Sequence, residues 1–218
     1  MEKLVAGTFL TLDGVMQAPG GPEEDPSGGF PHGGWSVPYF DDRMGQLMDE
    51  WIQRASGFLL GRKTYEIFAA HWPHIHDDPL ANKLNAEPKY VASRTLQRVD
   101  WNHSTLLQGD VVEGVEKLKG ESNGEIQIHG SGDLIQTLLK HNLIDEFRIW
   151  INPIVLGKGK RLFGEGTVPA ALELVETQRA TTGSVLQVYR LAGKPTYGSF
   201  AMEQPTAEEI ERRKKGGR

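Results

Sequence analysis

Hydrophobic residues along this chain recur in short blocks that switch between the spacing of a helix and that of a strand. Intervals of three and four residues predict amphipathic helices over residues 41–55, 63–70, 110–119 and 131–141. Short apolar and β-branched runs predict strands over residues 4–12, 57–60, 89–92, 106–107, 125–128, 145–155, 172–180 and 185–191. This alternation, closed by a hairpin, predicts an α/β fold with a mostly parallel central sheet and an antiparallel C-terminal hairpin.

Two stretches, residues 15–38 and 71–88, lack this periodicity. The first is rich in glycine, proline and acidic residues, and so long a loop in a compact domain is usually functional or disordered. We expect it to act as a lid over a substrate. From residue 194 the sequence becomes polar and then highly charged. We therefore predict one domain over residues 1–193 and an extension with a charged tail over residues 194–218.

Composition narrows the class of protein. The 218 residues carry a net charge of −5 and contain no cysteine. The negative balance argues against nucleic-acid binding, and the lack of cysteine excludes disulfides, thiolate metal ligands and cysteine nucleophiles. No secretory signal is visible, and no apolar run approaches the roughly 18 residues of a membrane span. We expect a cytoplasmic protein with neither a nucleic-acid nor a membrane partner.

Two glycine-containing corners carry the strongest chemical signal. Gly61-Arg62-Lys63-Thr64 and Gly130-Ser131-Gly132-Asp133 each follow a predicted strand and open a predicted helix. Glycine lets the backbone approach a ligand closely, and a helix N-terminus offers unpaired N–H groups and a partial positive charge. Two such corners predict a ligand with more than one phosphate, such as a nucleotide cofactor.

Neither corner fits the common nucleotide-binding motifs. The dinucleotide fingerprint Gly-x-Gly-x-x-Gly belongs to the first strand turn, whereas the run here is late and has Ile135 at its third position. The P-loop is also excluded, because neither corner ends in Gly-Lys-Ser/Thr at the required spacing.

Segments in a fixed order along the chain resemble the dihydrofolate reductase-like superfamily. The closest resemblance is to the C-terminal reductase domain of the bifunctional riboflavin-biosynthesis deaminase–reductase and its stand-alone relatives. The segments are residues 11–14, 60–66, 91–96 and 128–135, together with the run 145–157. The resemblance covers residues 1–192 and implies a three-layer fold, NADPH as cofactor, a small-molecule substrate and a homodimer.

The resemblance also implies which residues hold NADPH. Those expected around the ribose 2′-phosphate are Arg62, Ser93 and Arg94; those at the pyrophosphate are Gly61, Lys63 and Thr64; and those of the second phosphate corner are Gly130, Ser131, Gly132 and Asp133. A guanidinium fork and a hydroxyl suit a phosphate dianion.

Two aspartates are candidate catalytic residues. The resemblance places Asp13 beside the nicotinamide, and it places Asp41 where dihydrofolate reductases have an acidic residue over the pterin. The alternative for Asp13 is an ordinary Asp-Gly turn, and the alternative for Asp41 is a helix cap.

A histidine cluster suggests a metal site at first sight. His71, His74 and His76 are followed by Asp77 and Asp78, but Pro73 breaks the helical spacing that would align the imidazoles. We predict no metal site and interpret this stretch as a polar loop at the cofactor rim.

These observations predict an NADPH-dependent reductase that transfers a hydride to a small heterocyclic or carbonyl substrate. The named candidate is a reaction like that of 5-amino-6-(5-phosphoribosylamino)uracil reductase in riboflavin biosynthesis. Dihydrofolate reductase is the enzymatic alternative, and a non-catalytic nucleotide- or flavin-binding protein is the alternative of another class. The acidic run Glu23-Glu24-Asp25 in the long loop argues against a phosphorylated substrate.

Overall fold

A computed structural model of the chain describes residues 3–121, 124–200 and 204–216. The strands are β1 (Lys3–Thr11), β2 (Ala55–Gly61), β3 (Lys89–Ala92), β4 (Ser104–Leu106), β5 (Glu125–His129), β6 (Glu146–Asn152), β7 (Leu172–Arg179) and β8 (Val185–Leu191). The helices are α1 (Asp42–Ile52), α2 (Arg62–His71), α3 (Pro79–Ala86), α4 (Val111–Glu121), α5 (Gly132–Lys140) and α6 (Ala207–Gly216).

The strands form one eight-stranded sheet in the order β4-β3-β2-β5-β1-β6-β8-β7. Strands β1 to β6 pair in parallel, whereas β8 runs antiparallel to both β6 and β7. The predicted α/β class, the mostly parallel sheet and the antiparallel C-terminal hairpin are therefore confirmed. Because β1, β2, β3, β5 and β6 are parallel, their carboxyl ends meet at one edge of the sheet.

Side-chain alternation along the strands separates two packed layers. One face of the sheet carries a continuous apolar core that includes Leu4, Ile126 and Phe147, packed against α4 and α5. The opposite face packs against α1, α2 and α3 through smaller clusters, represented by Phe58 and Trp150. Helices on both faces of a central sheet give the three layers implied by the resemblance.

The stretch 71–88, predicted to be irregular, contains helix α3, so that prediction was wrong. Asp78 caps α3 by accepting a hydrogen bond from the Ala81 N–H at 2.8 Å, and Pro79 occupies the first turn. Both are ordinary helix-start signals. The helix was missed because only Ala81 and Leu84 of its eight residues are buried, which leaves almost no periodicity.

The long loop 15–38 is ordered and packed. Val15, Phe30 and Trp35 are buried in a small cluster of their own. The Trp35 indole N–H donates to the Gln17 carbonyl at 2.7 Å, and Val15 forms a β-bridge with Arg161. The loop therefore has a defined position beside the carboxyl edge of the sheet.

The C-terminal extension includes α6, a helix without buried residues. Ion pairs within one turn, such as Glu209 with Arg212 and Arg213, run along it. Part of the predicted extension lies outside the described residues, and the division at residue 193 stays a prediction. Within the described part of the chain, no helix is both long and apolar enough to cross a membrane.

Candidate functional site

A cavity of about 1080 Å³ lies at the carboxyl edge of the parallel strands. In open α/β sheets this edge is where ligands bind. All ten residues predicted to hold the cofactor line this one cavity: Gly61, Arg62, Lys63, Thr64, Ser93, Arg94, Gly130, Ser131, Gly132 and Asp133. The predicted catalytic residues Asp13 and Asp41 are not among the residues that line it.

The two glycine corners are joined by one serine. The Ser131 hydroxyl oxygen accepts a hydrogen bond from the Gly61 N–H at 3.0 Å and lies 2.7 Å from the Thr64 hydroxyl oxygen. A Cβ atom on Gly61 would lie 2.8 Å from the Ser131 Oγ. Residue 61 must therefore lack a side chain for the corners to meet this closely.

Both corners leave a helix N-terminus open toward the cavity. Gly130 and Ser131 both have left-handed backbones, with φ of 70° and 65°, which turn the chain sharply from β5 into α5. Neither α2 nor α5 has its N-terminus capped by a side chain. The first-turn N–H groups and the helix dipoles therefore favour an anion at each corner.

One cation beside these corners is available for a ligand. Among the described residues, Arg94 is the only basic side chain of the cavity lining without a carboxylate oxygen within 4.0 Å. Its neighbour Ser93 accepts hydrogen bonds from the N–H groups of Thr95 and Leu96 at 3.1 and 3.0 Å, which fixes the loop after β3. Arg62, by contrast, pairs with Glu66 at 3.1 Å.

Three polar side chains, Gln127, His129 and Arg148, line the cavity floor, and the buried Glu125 and Glu146 hold Arg148. We call these five residues the polar ladder. Arg148 donates to both carboxylate oxygens of Glu125, at 2.8 and 2.7 Å, and to Glu146 at 2.9 Å. The Gln127 amide donates to Glu125 and to the Trp51 carbonyl. The ladder thus crosses from β6 over β1 to β5 with its charges paired.

His129 ends the ladder at the second glycine corner. Burial, assisted by the nearby positive charge of Arg148, lowers the pKa of His129 to about 4, so the imidazole is neutral near neutral pH. Because the Gln127 amide nitrogen already donates twice, its oxygen accepts from His129 Nε2 at 3.0 Å. This assignment leaves His129 Nδ1 as a hydrogen-bond acceptor.

Aromatic side chains form the walls above the ladder. Trp51 covers the Arg148 guanidinium, with 5.1 Å between the ring centroid and Arg148 Cζ, and lies 6.1 Å from the Trp150 ring. Phe68 and Trp72 line the same part of the cavity and contact each other edge to face. Flat apolar walls over a hydrogen-bonding floor suit a planar heterocyclic ring.

Apart from His129, sequence reasoning did not single out the ladder or these walls. The signal was present, because Glu125, Gln127 and His129 alternate with buried isoleucines along β5, as Glu146 and Arg148 alternate with apolar residues along β6. Regular polar alternation on a strand buried on both faces indicates a polar interior surface.

Asp13 links the loop after β1 to the loop after β6 through hydrogen bonds. Its carboxylate accepts hydrogen bonds from the Thr11 hydroxyl at 2.6 Å and from the N–H groups of Leu156 and Gly157 at 3.1 and 2.7 Å. The Arg161 guanidinium lies 3.4 Å from this carboxylate. These hydrogen bonds, the one from Thr11 first, hold the pKa of the carboxyl far below its usual range.

Asp41 caps helix α1. One carboxylate oxygen accepts from the Met44 N–H at 2.9 Å, and the other accepts from the N–H and hydroxyl of Thr181, both at 2.7 Å. The Thr181 hydroxyl in particular lowers the pKa of Asp41. The proposed catalytic roles of Asp13 and Asp41 stay predictions, which the geometry of the cavity does not favour.

The histidine cluster lies at the end of α2 and in the turn that follows. His71 is the last residue of α2, and His74 ends the short turn Trp72–His74. Among the residues that the structure describes, no three histidine, aspartate or glutamate side chains come together as metal ligands.

The fold and the cavity define an α/β domain with a cavity at the carboxyl edge of a mostly parallel sheet. Residues 2–186 match the family described as the RibD C-terminal domain, and the chain belongs to this family. This membership supports a reductase of the RibD type. The uncharacterized protein YyaP of Bacillus subtilis is 30% identical over 196 residues, which cover 88% of this chain and 96% of YyaP.

Two solved structures resemble the whole domain. A protein of Shewanella sp. PV-4, provisionally described as a riboflavin biosynthesis protein, has a TM-score of 0.62 at 23% identity, over 87% of this chain and 98% of that one. Dihydrofolate reductase of Enterococcus faecalis has a TM-score of 0.52 at 14% identity, over 87% and 96%. At such identities they establish the fold, which is dihydrofolate reductase-like.

Proposed function

We propose that this protein is an NADPH-dependent reductase that transfers a hydride to a small heterocyclic or carbonyl substrate. The observation that carries the proposal is the pair of uncapped glycine corners, joined by Ser131 and facing one cavity together with the unpaired Arg94. When bound, NADPH supplies the hydride, and the protein supplies binding, orientation and a water-poor environment.

The residues present fit the phosphate groups of that cofactor. The open first turns of α2 and α5 offer N–H donors to the pyrophosphate, and the glycine at position 61 lets the two corners meet through Ser131. Arg94 and the Ser93 hydroxyl are the groups for the ribose 2′-phosphate, with Arg62 nearby along the rim.

The substrate would lie between the aromatic walls and the polar ladder. Trp51 and Phe68 exclude water and orient a flat ring, while His129 Nδ1 accepts a hydrogen bond from a ring N–H or hydroxyl. The reaction of the riboflavin pathway is the named candidate, and dihydrofolate reduction is the enzymatic alternative. A non-catalytic binding protein would bind the cofactor without substrate-dependent oxidation.

Quenching of tryptophan fluorescence during titration with NADPH and NADH tests the proposal, because Trp51, Trp72 and Trp150 line the cavity. We expect at least a tenfold preference for NADPH, about 1.4 kcal/mol. Arg94→Ala should abolish this preference by removing the guanidinium that would bind the 2′-phosphate. Arg98→Ala is the matched control, since Arg98 lies in the same loop, pairs with Asp100 and does not line the cavity.

Two results would count against the proposal in different ways. Failure of both nucleotides to bind would remove the reductase function. An unchanged preference in Arg94→Ala would leave the function standing and remove only the assignment of Arg94.

A further inference from the structure

The floor of the cavity offers no uncompensated positive charge to a substrate. The Arg148 side chain is 5% exposed and is shared between Glu125 and Glu146. Although burial alone would raise it, the pKa of Glu146 is lowered by the charge of Arg148, which keeps this carboxyl ionised at neutral pH. An anion on the floor would therefore meet a guanidinium that two buried carboxylates already compensate.

On the rim formed by the long loop, Lys160 is paired with a carboxylate in the same way. Asp25 pairs with Lys160 and lies 3.7 Å from Lys63, and the Ser27 hydroxyl oxygen lies 2.8 and 3.2 Å from the same two ammonium groups. Burial alone would raise the pKa of Asp25, but the hydrogen bonds from Lys160 and Ser27 lower it. Asp25 is therefore a charged carboxylate that pairs closely with Lys160, while Lys63 is the lysine assigned to the cofactor pyrophosphate.

The remaining cation on this rim is also engaged. Arg161 donates to the Asp13 carbonyl at 2.8 Å and lies 3.4 Å from its carboxylate. Glu24, next to Asp25, lines the cavity as well and adds a further acidic group. A phosphate on this side would have to displace an existing carboxylate before gaining an ion pair.

We propose that the substrate of this reductase is an aromatic or heteroaromatic molecule that carries no phosphate, unlike the phosphorylated pyrimidine of the named riboflavin-pathway candidate. The inference rests on the proposed function, since it assigns the glycine corners and Arg94 to the cofactor. The flat walls of Trp51, Phe68 and Trp150 select the ring, and Asp25 rejects a phosphate ester by holding Lys160.

Inorganic phosphate is a direct probe of this rim. The protein is first saturated with NADP⁺, so that the cofactor phosphates fill the glycine corners, and is then titrated with phosphate by calorimetry. We expect no binding to the wild-type protein. Asp25→Asn should bind phosphate at least about tenfold more tightly than the wild-type limit, because it releases Lys160.

Glu23→Gln is the matched control, because Glu23 is an exposed carboxylate of the same loop that does not line the cavity. It should behave as the wild type does. Phosphate binding to the NADP⁺-saturated wild type would overturn the inference. Failure of Asp25→Asn to gain binding would overturn the role of Asp25 in it.

Turnover gives the second test. Oxidation of NADPH is followed with pyrimidines and pteridines offered in pairs that differ by one phosphate ester. We expect kcat/KM to be at least about tenfold higher for the unphosphorylated member. If NADP⁺ does not bind, the proposed function has failed; if it binds and the phosphate ester is preferred, only the substrate inference has failed.

Discussion

The two faces of the central sheet are built by the same strands but are stabilised by different interactions. On one face Leu4, Ile126 and Phe147 are buried in a continuous apolar core that needs only close packing. Gln127 of β5 and Arg148 of β6, each the next residue in its strand, are also buried but point to the opposite face. They must be buried together with their hydrogen-bond partners and, for Arg148, with carboxylates of opposite charge. Burial of such groups is costly unless every partner is in place.

This difference identifies the polar face of the sheet as the one with space for a ligand. The register places Gly7 of β1 opposite both His129 and Arg148, so the middle of the polar face has no side chain from β1. Above it, helices α1 and α2 contribute Trp51 and Phe68 to the cavity lining. The apolar face stabilises the sheet, and the polar face forms the floor of the site.

Replacing Arg148 is the strongest test of this contrast. Arg148→Met should lower the free energy of unfolding by about 3–5 kcal/mol, because the buried Glu125 loses its ionic partner. Glu146 keeps the half-exposed Lys3 and Arg190. Ile149→Val, the next residue on the apolar face, should cost only about 0.5–1.5 kcal/mol. Urea denaturation measures both values.

Neutralising Glu125 and Glu146 should recover much of the free energy of unfolding that Arg148→Met loses. The triple variant Arg148→Met, Glu125→Gln, Glu146→Gln removes the unpaired charges and should be more stable than Arg148→Met alone. If the single variant is no less stable than Ile149→Val, the ladder does not hold its charges as the structure indicates.

Much of the fold could be predicted because its signals are local. Helix α5 has four adjacent apolar positions of one face, and the structure buries all of them: Leu134, Ile135, Leu138 and Leu139. The glycine corners were also predictable, since a strand, a glycine and a helix start follow one another within a few residues. Their meeting through Ser131 required the parallel pairing of β2 with β5.

The rest depends on partners that are distant in the sequence. Arg148 and Glu125 are 23 residues apart and meet across β1, which no local pattern specifies. Asp13 and Asp41 were easy to single out as carboxylates near a turn and a helix start. Their partners Gly157 and Thr181 are more than a hundred residues away, and these partners hold the two carboxylates outside the cavity lining.

The pH dependence of stability should distinguish His129, on the polar face, from residues of the apolar face. Its pKa falls from 6.5 to about 4 on folding, so between these values the unfolded chain binds a proton that the folded protein does not. The free energy of unfolding should therefore fall as the pH is lowered through this window. Urea denaturation at several pH values should show this component in the wild type and not in His129→Gln.

A control on the apolar face makes the measurement specific. Ile128→Val, the preceding residue of β5, should lower stability by a similar amount at every pH, because its loss is a packing effect. Glu146 contributes in a lower window, below its ordinary value of 4.5, because its pKa is lowered in the folded state. An identical pH dependence in His129→Gln and the wild type would contradict the buried neutral imidazole.

The smallest effect is expected from Asp41→Asn, on the helix that covers the polar face. Asparagine caps a helix about as well as aspartate, so the melting temperature should change little and kcat should be unchanged. Asp42→Asn, an exposed neighbour in the first turn of α1, is the control for the loss of one charge. A marked loss of kcat in Asp41→Asn alone would support the catalytic prediction. Because Asp41 lies outside the cavity lining, that result would also require α1 to shift during turnover.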